Sequence, residues 1–353
     1  MAAHESATLA GKPTDPAPPG GGDPEPAVGH GRGRLAAGGL PRFVLRRLLL
    51  FVPTAVGAGL LTFLLVKIIP GGPAYAKLGE EATPEAIAVV ERQLGLDRPL
   101  PEQFFGWLGS ALLGDLGMSF QTGQPVINLI VNALPVTIEL VVLAILGTIA
   151  VAVPIGVYAA RRADRPVGRW IRSTSGLGLA VPDFFLALVL ISIFSVGLGL
   201  LPRLGYPRLT EDPVGNLYHV ILPVLPMILG GSAIVIRQVG AAMVDALASD
   251  YCRTARAMGL PERVITWQYA FRAALPTVLN VVALLALGQL GVTLVLEKIF
   301  VLPGMGSALI NGIGVRDYPL ILGIVLVYVA IALVVNLVVD IMAGIVDPAS
   351  RGA

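Results

Sequence analysis

The sequence predicts an all-α polytopic membrane protein with six transmembrane helices. Of its 353 residues, 55% are hydrophobic and 14% are charged, and the mean hydropathy is +0.79, outside the usual range of a soluble domain. Six apolar runs are long enough to cross a bilayer, which takes about 20 helical residues. They lie at about 43–69, 132–158, 173–198, 218–236, 274–296 and 319–344. An even number of crossings places both chain ends on the same side of the membrane.

The composition also excludes several kinds of function. The formal net charge is only +2, so the chain lacks the basic face that nucleic acid requires. The single cysteine, Cys252, allows no intrachain disulfide. The three histidines, His4, His30 and His219, are too far apart to build a motif such as H-E-x-x-H. We therefore expect no metal site and no catalytic residues in this chain.

The amino-terminal part has a different composition from the rest. Residues 1–41 are rich in proline and glycine and predict a disordered cytoplasmic tail, because they bury too little apolar surface to offset the entropy of ordering. The membrane domain is expected over 42–350. Its first apolar run exceeds the roughly 7–15 residues of a signal-peptide core, and Arg46 and Arg47 lie in its first turns. We interpret this run as an uncleaved membrane anchor.

The distribution of lysine and arginine predicts the orientation, because short loops rich in these residues stay in the cytoplasm. The segments up to Arg47, at 159–172, at 237–273 and after the last run hold six, five, five and one of them. The opposite side holds seven, leaving out Lys67 at the end of the first run. Both termini and the segment 237–273 are therefore predicted to be cytoplasmic, and the segment 70–131 to be extracytoplasmic.

The segment 70–131 contains two amphipathic helical patterns. The first starts at Thr83, a suitable cap before a proline, and stops at Gly95; the second starts near Pro101 and stops at Gly114. The apolar positions that share a face are Ile87, Val90 and Leu94 in the first pattern and Phe104, Leu108 and Leu112 in the second. These patterns predict a small folded cap. The alternative is a loop that only lies on the bilayer surface.

The predicted cytoplasmic stretch 249–264, "SDYCRTARAMGLPERV", reads as a helix, a sharp turn and a second helix. Ser249 or Asp250 can cap the first helix, Gly259 stops it, and Pro261 permits the second start. Because so short a helix is marginal alone, it needs a docking surface. Its small residues suit close approach to a protein groove better than insertion into lipid. The alternative is a passive loop whose arginines only set the topology.

The stretch "DYCRTARAMGLPE" resembles the E-A-A motif loop of ABC importer permeases, in the form found in the dipeptide and oligopeptide branch. Arg253, Thr254 and Ala255 stand where the motif has Glu-Ala-Ala, and Gly259 matches the motif glycine. Arg253 replaces the acidic first residue, a departure that is common in the peptide branch. Leu275 lies farther from Gly259 than in the general motif, so the second part of the motif is matched loosely.

The resemblance covers about 43–350 and is to the B-type permease subunit of peptide importers. The further matching segments are 94–126, 132–140, 181–188, 295–306, 316–320 and 336–348. It implies a type I ABC importer permease fold in a bacterial plasma membrane, with a small extracytoplasmic helical insertion between the first two spans.

The resemblance also implies a function: an ATP-driven importer subunit that moves di- or oligopeptides by alternating access. The implied partners are a second homologous permease subunit, ATPase (nucleotide-binding) subunits, an extracytoplasmic solute-binding protein and membrane lipid. This chain has no G-x-x-x-x-G-K-[ST] loop, so it is not expected to be an enzyme or to hold a cofactor, and ATP and Mg belong to the ATPase subunits. The implied coupling residues are Asp250, Arg253, Thr254, Ala255, Arg256, Ala257, Gly259 and Leu260.

Polar residues inside spans mark pathways through lipid. Gln289, Thr293 and Asn336 are the candidates for the substrate pathway, whereas Glu139 and Asp340 lie near span ends. For each of them, a structural hydrogen bond to another helix is the alternative. The pair Glu297 and Lys298 lies at the outer end of the fifth run and is assigned to the interface or a gate.

Two other classes of function stay open at this point. A secondary transporter or channel subunit acting without an ATPase would usually show buried ionisable residues or paired broken helices. A membrane-embedded enzyme would need clustered carboxylates, histidines or a Ser/His pair. The substrate is also open, because the peptide branch includes importers of nickel, glutathione and some oligosaccharides.

Overall fold

A computed structural model describes residues 49, 52–64, 72–79, 82–178 and 180–346. The predicted tail at 1–41 lies outside these residues. The described chain consists of helices and turns, and the β pairing recorded in it is an isolated bridge between Met118 and Pro125.

We number the helices of the described residues from the amino terminus. They are α1 (Val52–Leu64), α2 (Gly72–Leu78), α3 (Pro84–Gln93), α4 (Leu100–Leu112), α5 (Val126–Arg161), α6 (Pro166–Gly178), α7 (Asp183–Gly197), α8 (Pro213–Ala248), α9 (Asp250–Ala257), α10 (Glu262–Ile299), α11 (Met305–Val315) and α12 (Tyr318–Val346). Two of them contain π-helical segments, Ile191–Gly197 in α7 and Ile265–Ala270 in α10.

Four of these helices are long and apolar enough to cross a membrane: α5, α8, α10 and the Tyr318–Met342 part of α12. Two shorter apolar helices, α1 and α7, occupy the places of the first and third predicted spans. The all-α multi-pass architecture predicted from the sequence is thus confirmed.

The third predicted span, at 173–198, is not one continuous helix. α6 ends at Gly178 and α7 begins at Asp183, with Pro182 in an extended conformation before it (φ −63°, ψ 140°). A proline disfavours helical geometry at the residue before it and cannot donate a backbone hydrogen bond. Pro182 therefore separates two helices here, whereas α5 runs through both Pro135 and Pro154.

The core of the membrane domain lies between α5 and α8. Gly156 of α5 permits their close approach, because a Cβ added there would lie 3.2 Å from the Ile236 carbonyl oxygen and 3.2 Å from Val239 Cβ. α10 closes one side of this pair, and Val157, Val239 and Val278 belong to one buried cluster. The sequence thus places the smallest side chain where two backbones meet.

The segment between α1 and α5 is folded as the amphipathic patterns predict. The Ala86 amide donates to Thr83 Oγ1 (3.3 Å), so Thr83 caps α3, and Gly95 ends the turn with φ +65°. Phe104 of α4 is buried and joins Phe63, Tyr318, Ile321 and Leu322 in one cluster. This packing joins the segment to α1 and α12.

One apolar position of this segment differs from its expected role. Leu112 was expected on the packed face of α4 but is 80% exposed. It is the last residue of the helix, and the chain turns away at Gly114 (φ +87°), so no neighbouring element covers it within the described residues.

Candidate functional site

The short helix α9 lies at the ends of two helices that are longer than a bilayer requires. α8 has 36 residues and α10 has 38, which is about 54 and 57 Å at 1.5 Å per residue. The hydrocarbon core is only roughly 30 Å thick. The apolar run of α8 ends near 236, and Arg237 follows it. The last turns of α8 and the first turns of α10 therefore carry α9 out of the hydrocarbon region.

The end of α9 has the geometry that the sequence predicts. Gly259 has φ +78°, a left-handed conformation that favours glycine. The Leu260 amide donates to the Ala255 carbonyl (3.2 Å) and the Gly259 amide to the Arg256 carbonyl (2.9 Å). These two bonds form a Schellman motif, which satisfies carbonyls that the last turn would otherwise leave unpaired. The reversal between α9 and α10 is therefore set by Gly259.

The start of α9 differs from the prediction. Ser249 occupies the capping position, but its hydroxyl donates to the Ala246 carbonyl (2.6 Å) instead of accepting from an α9 amide. Asp250 is the first helical residue and pairs with Arg253. The hydroxyl of Ser249 thus serves the end of α8, because that helix continues directly to Ala248.

The inner face of α9 is packed against the chain itself. Cys252 and Ala255 are buried and belong to the same cluster as Met243 of α8 and Ile265 of the π-helical segment in α10. Ala255 was predicted among the residues that approach a partner, but its small side chain instead lets α9 lie close to α8 and α10. The exposed positions of the predicted set are Asp250, Arg253, Thr254, Arg256, Ala257 and Gly259, and Leu260 is partly buried.

Two large exposed side chains of α9 were not among the contact residues predicted from the sequence. Tyr251 and Met258 are 45% and 66% exposed, and together with Thr254 they follow the i, i+3, i+7 spacing of one helical face. That spacing could have been recognised in the sequence as one face of a helix. The outer face of α9 is therefore partly apolar, which suits contact with another protein.

The two arginines of α9 have different surroundings. Arg256 donates from Nε to Glu262 Oε1 (2.8 Å) and from an Nη to the Leu247 carbonyl (3.1 Å), so it ties α9 to both α8 and α10. Among the residues that the structure describes, the recorded partner of the Arg253 side chain is Asp250 (3.3 Å), one helical turn away, and this side chain is 73% exposed. Exposed pairs of this kind contribute about 0.5 kcal/mol or less. Arg256 is thus held within the chain, and Arg253 is open to a partner.

Because of this difference, Arg253→Ala can serve as the control for Arg256→Ala in a test of how α9 is held. Cys252 is the single cysteine of the chain and is buried under α9, so its reaction with a maleimide reports detachment of this helix. We expect Arg256→Ala to speed labelling of Cys252 severalfold and Arg253→Ala to leave the rate unchanged. Equal labelling rates in the two variants would show that Arg256 does not hold α9 in place.

The three residues predicted for the substrate pathway lie in different surroundings. Gln289 is 3% exposed, and its Nε2 donates to the Met227 carbonyl of α8 (3.0 Å). Thr293 is buried and donates to the Leu290 carbonyl within its own helix (2.8 Å). Asn336 is exposed on α12, between exposed Val334 and Val338. The structure does not bring the three side chains into one site.

The buried and hydrogen-bonded position of Glu297 was not predicted from the sequence. Its carboxylate is fully buried, and it accepts from Thr137 Oγ1 (2.7 Å) and from the Ser307 amide (3.0 Å) at the start of α11. Gly304 makes room for it, since a Cβ added there would lie 2.3 Å from the carboxyl carbon of Glu297. A carboxylate at a helix amino terminus is stabilised by the free amides of the first turn. Glu297 therefore joins α10 to α11 and α5, and only its neighbour Lys298 is exposed.

Glu139 belongs to a second polar cluster. It accepts hydrogen bonds from the Tyr206 hydroxyl and from Asn216 Nδ2, which also donates to the Pro207 carbonyl (3.0 Å). Burial and the neighbouring carboxylate raise the pKa of Tyr206 above its ordinary value, so it stays a protonated donor at physiological pH. The cluster joins the loop before α8 to α5, which supports the structural reading of Glu139.

Asp183 is a further polar residue that was not predicted from the sequence to be part of a site. This residue is the first of α7 and lines a cavity of about 250 Å³ together with Gly230 of α8 and Gln289 of α10. The signal was present, because Asp183 is an acidic residue inside an apolar run of 173–198. It lies immediately after Pro182, where the helix is interrupted, and this interruption was not predicted from the sequence.

Two family models match this chain. The model described as "Binding-protein-dependent transport system inner membrane component" matches residues 152–352. A second model, for the amino-terminal part of the membrane component of such systems, matches residues 40–141. Together they include α8, α9, the two ends of α5 and the folded segment before α5.

Relatives of known description match over nearly their whole length. A putative peptide transport system permease protein of Brucella abortus (strain 2308) is 37% identical over 308 residues, covering 87% of this chain and 98% of that protein. The glutathione transport system permease protein GsiC of Escherichia coli O6:H1 is 34% identical over 309 residues, covering 88% and 98%.

Solved structures agree with these matches at the level of the fold. The inward-facing MetNI methionine ABC transporter matches with a TM-score of 0.51 and 17% identity, covering 62% of this chain and 96% of the matched chain. The arrangement of the membrane helices is thus of the same kind.

Proposed function

This chain belongs to the family of inner-membrane components of binding-protein-dependent transport systems, and we propose that, as the membrane subunit of an ATP-driven ABC importer, it carries di- or oligopeptides into the cytoplasm. The proposed substrate class follows the relatives, one described as a peptide and one as a glutathione transport permease. Glutathione is itself a small peptide, so both descriptions point to one kind of solute.

The observation that carries the proposal is the exposed outer face of α9. Its inner face is packed on α8 and α10, while Tyr251, Arg253, Thr254 and Met258 are exposed. Large apolar side chains with an adjacent arginine are typical of the buried centre of a protein interface. We propose that this face docks on an ATPase subunit, and that Arg253 meets an acidic group there.

The connections of α9 support a coupling role. Arg256 and the Schellman turn at Gly259 tie α9 to α8 and α10, and both of these helices continue through the membrane. A displacement of α9 by closing ATPase subunits would therefore reach the membrane helices as a rigid-body shift. In this scheme ATP and Mg are bound by the ATPase subunits, and this chain performs no hydrolysis.

A face of α12 supports a second membrane partner. Asn336 is exposed near the middle of this helix, between exposed Val334 and Val338. An amide at membrane depth is costly in contact with lipid. We propose that this part of α12 faces the second permease subunit or the pathway between the two, and that lipid covers the rest of the membrane surface. We propose that both termini lie in the cytoplasm of a bacterium, which the distribution of lysine and arginine favours.

The proposal is tested by reconstituting the purified complex, with its ATPase subunits and binding protein, in proteoliposomes. We expect ATP-dependent uptake of labelled dialanine or glutathione and no uptake of Ni²⁺. Complexes given a non-hydrolysable ATP analogue serve as the control. Uptake that persists without ATP hydrolysis would favour a secondary transporter, and uptake of Ni²⁺ alone would reject the peptide class.

A further inference from the structure

A cavity at membrane depth lies where the break between α6 and α7 faces α8 and α10. It has a volume of about 250 Å³ and is lined from the break by Gly178, Pro182 and Asp183, and from α10 by Gly288 and Gln289. Gly230, which also lines it, lies close to the middle of α8 (Pro213–Ala248). Gly230 and Gly288 also fall within the apolar runs 218–236 and 274–296, so the cavity lies at the level of the membrane-spanning parts of α8 and α10.

Glycines create this space and seat the carboxylate. A Cβ added at Gly230 would lie 2.0 Å from Asp183 Oδ1, so the carboxylate of Asp183 rests directly on the backbone of α8. Gly288 is exposed and lines the cavity, and a Cβ added there would have no atom within 4 Å, so this glycine leaves the cavity open on that side. Larger residues at these two positions would displace the carboxylate or fill the cavity.

The carboxylate of Asp183 lacks a counter-charge. Among the described residues no hydrogen bond or ion pair is recorded for it, and the lining of the cavity contains no lysine, arginine or histidine. An ionisable side chain at membrane depth is costly and is normally paired or functional. Asp183 is partly exposed, so its carboxylate is open to a cation or a hydrogen-bond donor that enters the cavity.

Gln289 supplies a second free acceptor. Its Nε2 donates a hydrogen bond to the Met227 carbonyl (3.0 Å), so Oε1 is the remaining polar atom of the side chain. This Oε1 atom is buried and has no hydrogen-bond partner in the described part of the chain. A buried acceptor without a donor costs free energy, and the side chain that carries this one belongs to the lining of the cavity.

The chemistry of the cavity selects its ligand. A carboxylate and an amide oxygen are both acceptors, and a primary ammonium group has three donors and no acceptor. A metal cation would want several oxygen or nitrogen ligands, and no group of three His, Cys, Asp or Glu side chains exists in the residues searched. The rest of the lining is apolar, including Val181, Ile234 and Leu285.

We propose that this cavity binds the ammonium group of the transported peptide, with Asp183 and the Gln289 side-chain oxygen as its acceptors. The inference rests on the proposed peptide-import function and adds a binding site inside the membrane. The volume of about 250 Å³ is below the roughly 300–1,000 Å³ of sites that enclose a whole drug-sized ligand. The cavity thus holds the amino end of a peptide, and the remainder extends beyond it.

The test compares dialanine uptake by proteoliposomes that contain the full complex. Asp183→Asn removes the charge, and Gly288→Leu places a large apolar side chain at the cavity, at a position where an added Cβ meets no atom within 4 Å. We expect each to lower dialanine uptake by about tenfold to a hundredfold, the range for losing a hydrogen bond to a charged group. Gly291→Leu, one turn away on α10 and also in open space, is the matched control and should keep uptake within twofold.

The outcomes separate this inference from the function on which it rests. Dialanine uptake by the original chain with normal uptake by Asp183→Asn would overturn the ammonium site and leave peptide import intact. If the Asp183→Asn complex fails to assemble, the uptake by Gly288→Leu is the deciding measurement. Normal dialanine uptake by Gly288→Leu would also overturn the ammonium site. A complex that takes up glutathione but not dialanine is assayed with glutathione, which carries an ammonium group too. A complex that imports neither peptide would reject the proposed function itself.

Discussion

Gly259→Val is expected to abolish transport coupling while the importer complex stays assembled. Gly259 has φ +78°, and a Cβ added there would meet no atom within 4 Å, so the cost of valine comes from the backbone alone. A β-branched residue strongly disfavours this conformation, at about 1–3 kcal/mol or more. The turn between α9 and α10 would relax to another geometry, and α9 would lose its fixed position. We expect uptake to fall by at least about tenfold, with ATP hydrolysis retained.

The matched control is Gly259→Asn, because asparagine tolerates the left-handed conformation far better than valine does. It adds a side chain of similar size at the same place. Uptake and ATP hydrolysis are measured on the same proteoliposomes, and assembly by size-exclusion chromatography. Normal uptake by the valine variant would show that the conformation of this turn does not matter for coupling. Equal losses in both variants would point to a steric contact with the partner instead.

Glu297→Ala is expected to destabilise the membrane domain more than other single changes near the outer end of α10. The carboxylate is fully buried and accepts from Thr137 Oγ1 and the Ser307 amide. Its removal leaves these donors without a partner and opens a cavity beside Gly304. Leaving a buried donor without an acceptor costs about 1–3 kcal/mol, and the cavity adds to that loss. The expected result is a melting temperature lower by several degrees, measured on the purified complex.

Lys298→Ala is the control for this variant. Lys298 is the next residue of the same helix, and its Nζ donates to Asn311 Oδ1 (2.5 Å) at an exposed position. Its loss should change stability by less than about 0.5 kcal/mol. Equal melting temperatures for the two variants would contradict the assigned role of Glu297. Thr137→Val, which removes the hydroxyl that donates to Glu297 and accepts from the Met305 amide (2.9 Å), should reproduce part of the loss.

The structural elements that the sequence predicted correctly are those set by local composition and backbone conformation. The apolar runs predicted membrane helices because any span must satisfy its own backbone in lipid. Gly259 and Pro261 predicted the reversal after α9 because backbone conformation restricts these positions whatever surrounds them. The family resemblance added the coupling role of the 249–264 stretch, which no pattern of spacing or hydropathy assigns.

Pairing between distant residues was outside the reach of those patterns. Ala255 was expected to approach a partner protein, yet it is buried within the chain, because α8 and α10 extend far enough to pack beneath it. Glu297 was placed at an interface or gate, whereas its partners are 160 and 10 residues away in the chain. Asp183 went unnoticed because its significance depends on Gly230 and Gln289, which only the packed helices bring near.

The membrane class, most of the spans, the position of the short helix α9 and the family could therefore all be predicted from the sequence. The tertiary structure alone decided which face of α9 is free, what Glu297 holds together and where an unpaired carboxylate meets a cavity. The physical reason is that helix formation in lipid depends on composition and local conformation. The burial and partners of a polar side chain depend on residues that are distant in sequence and meet only when the helices pack.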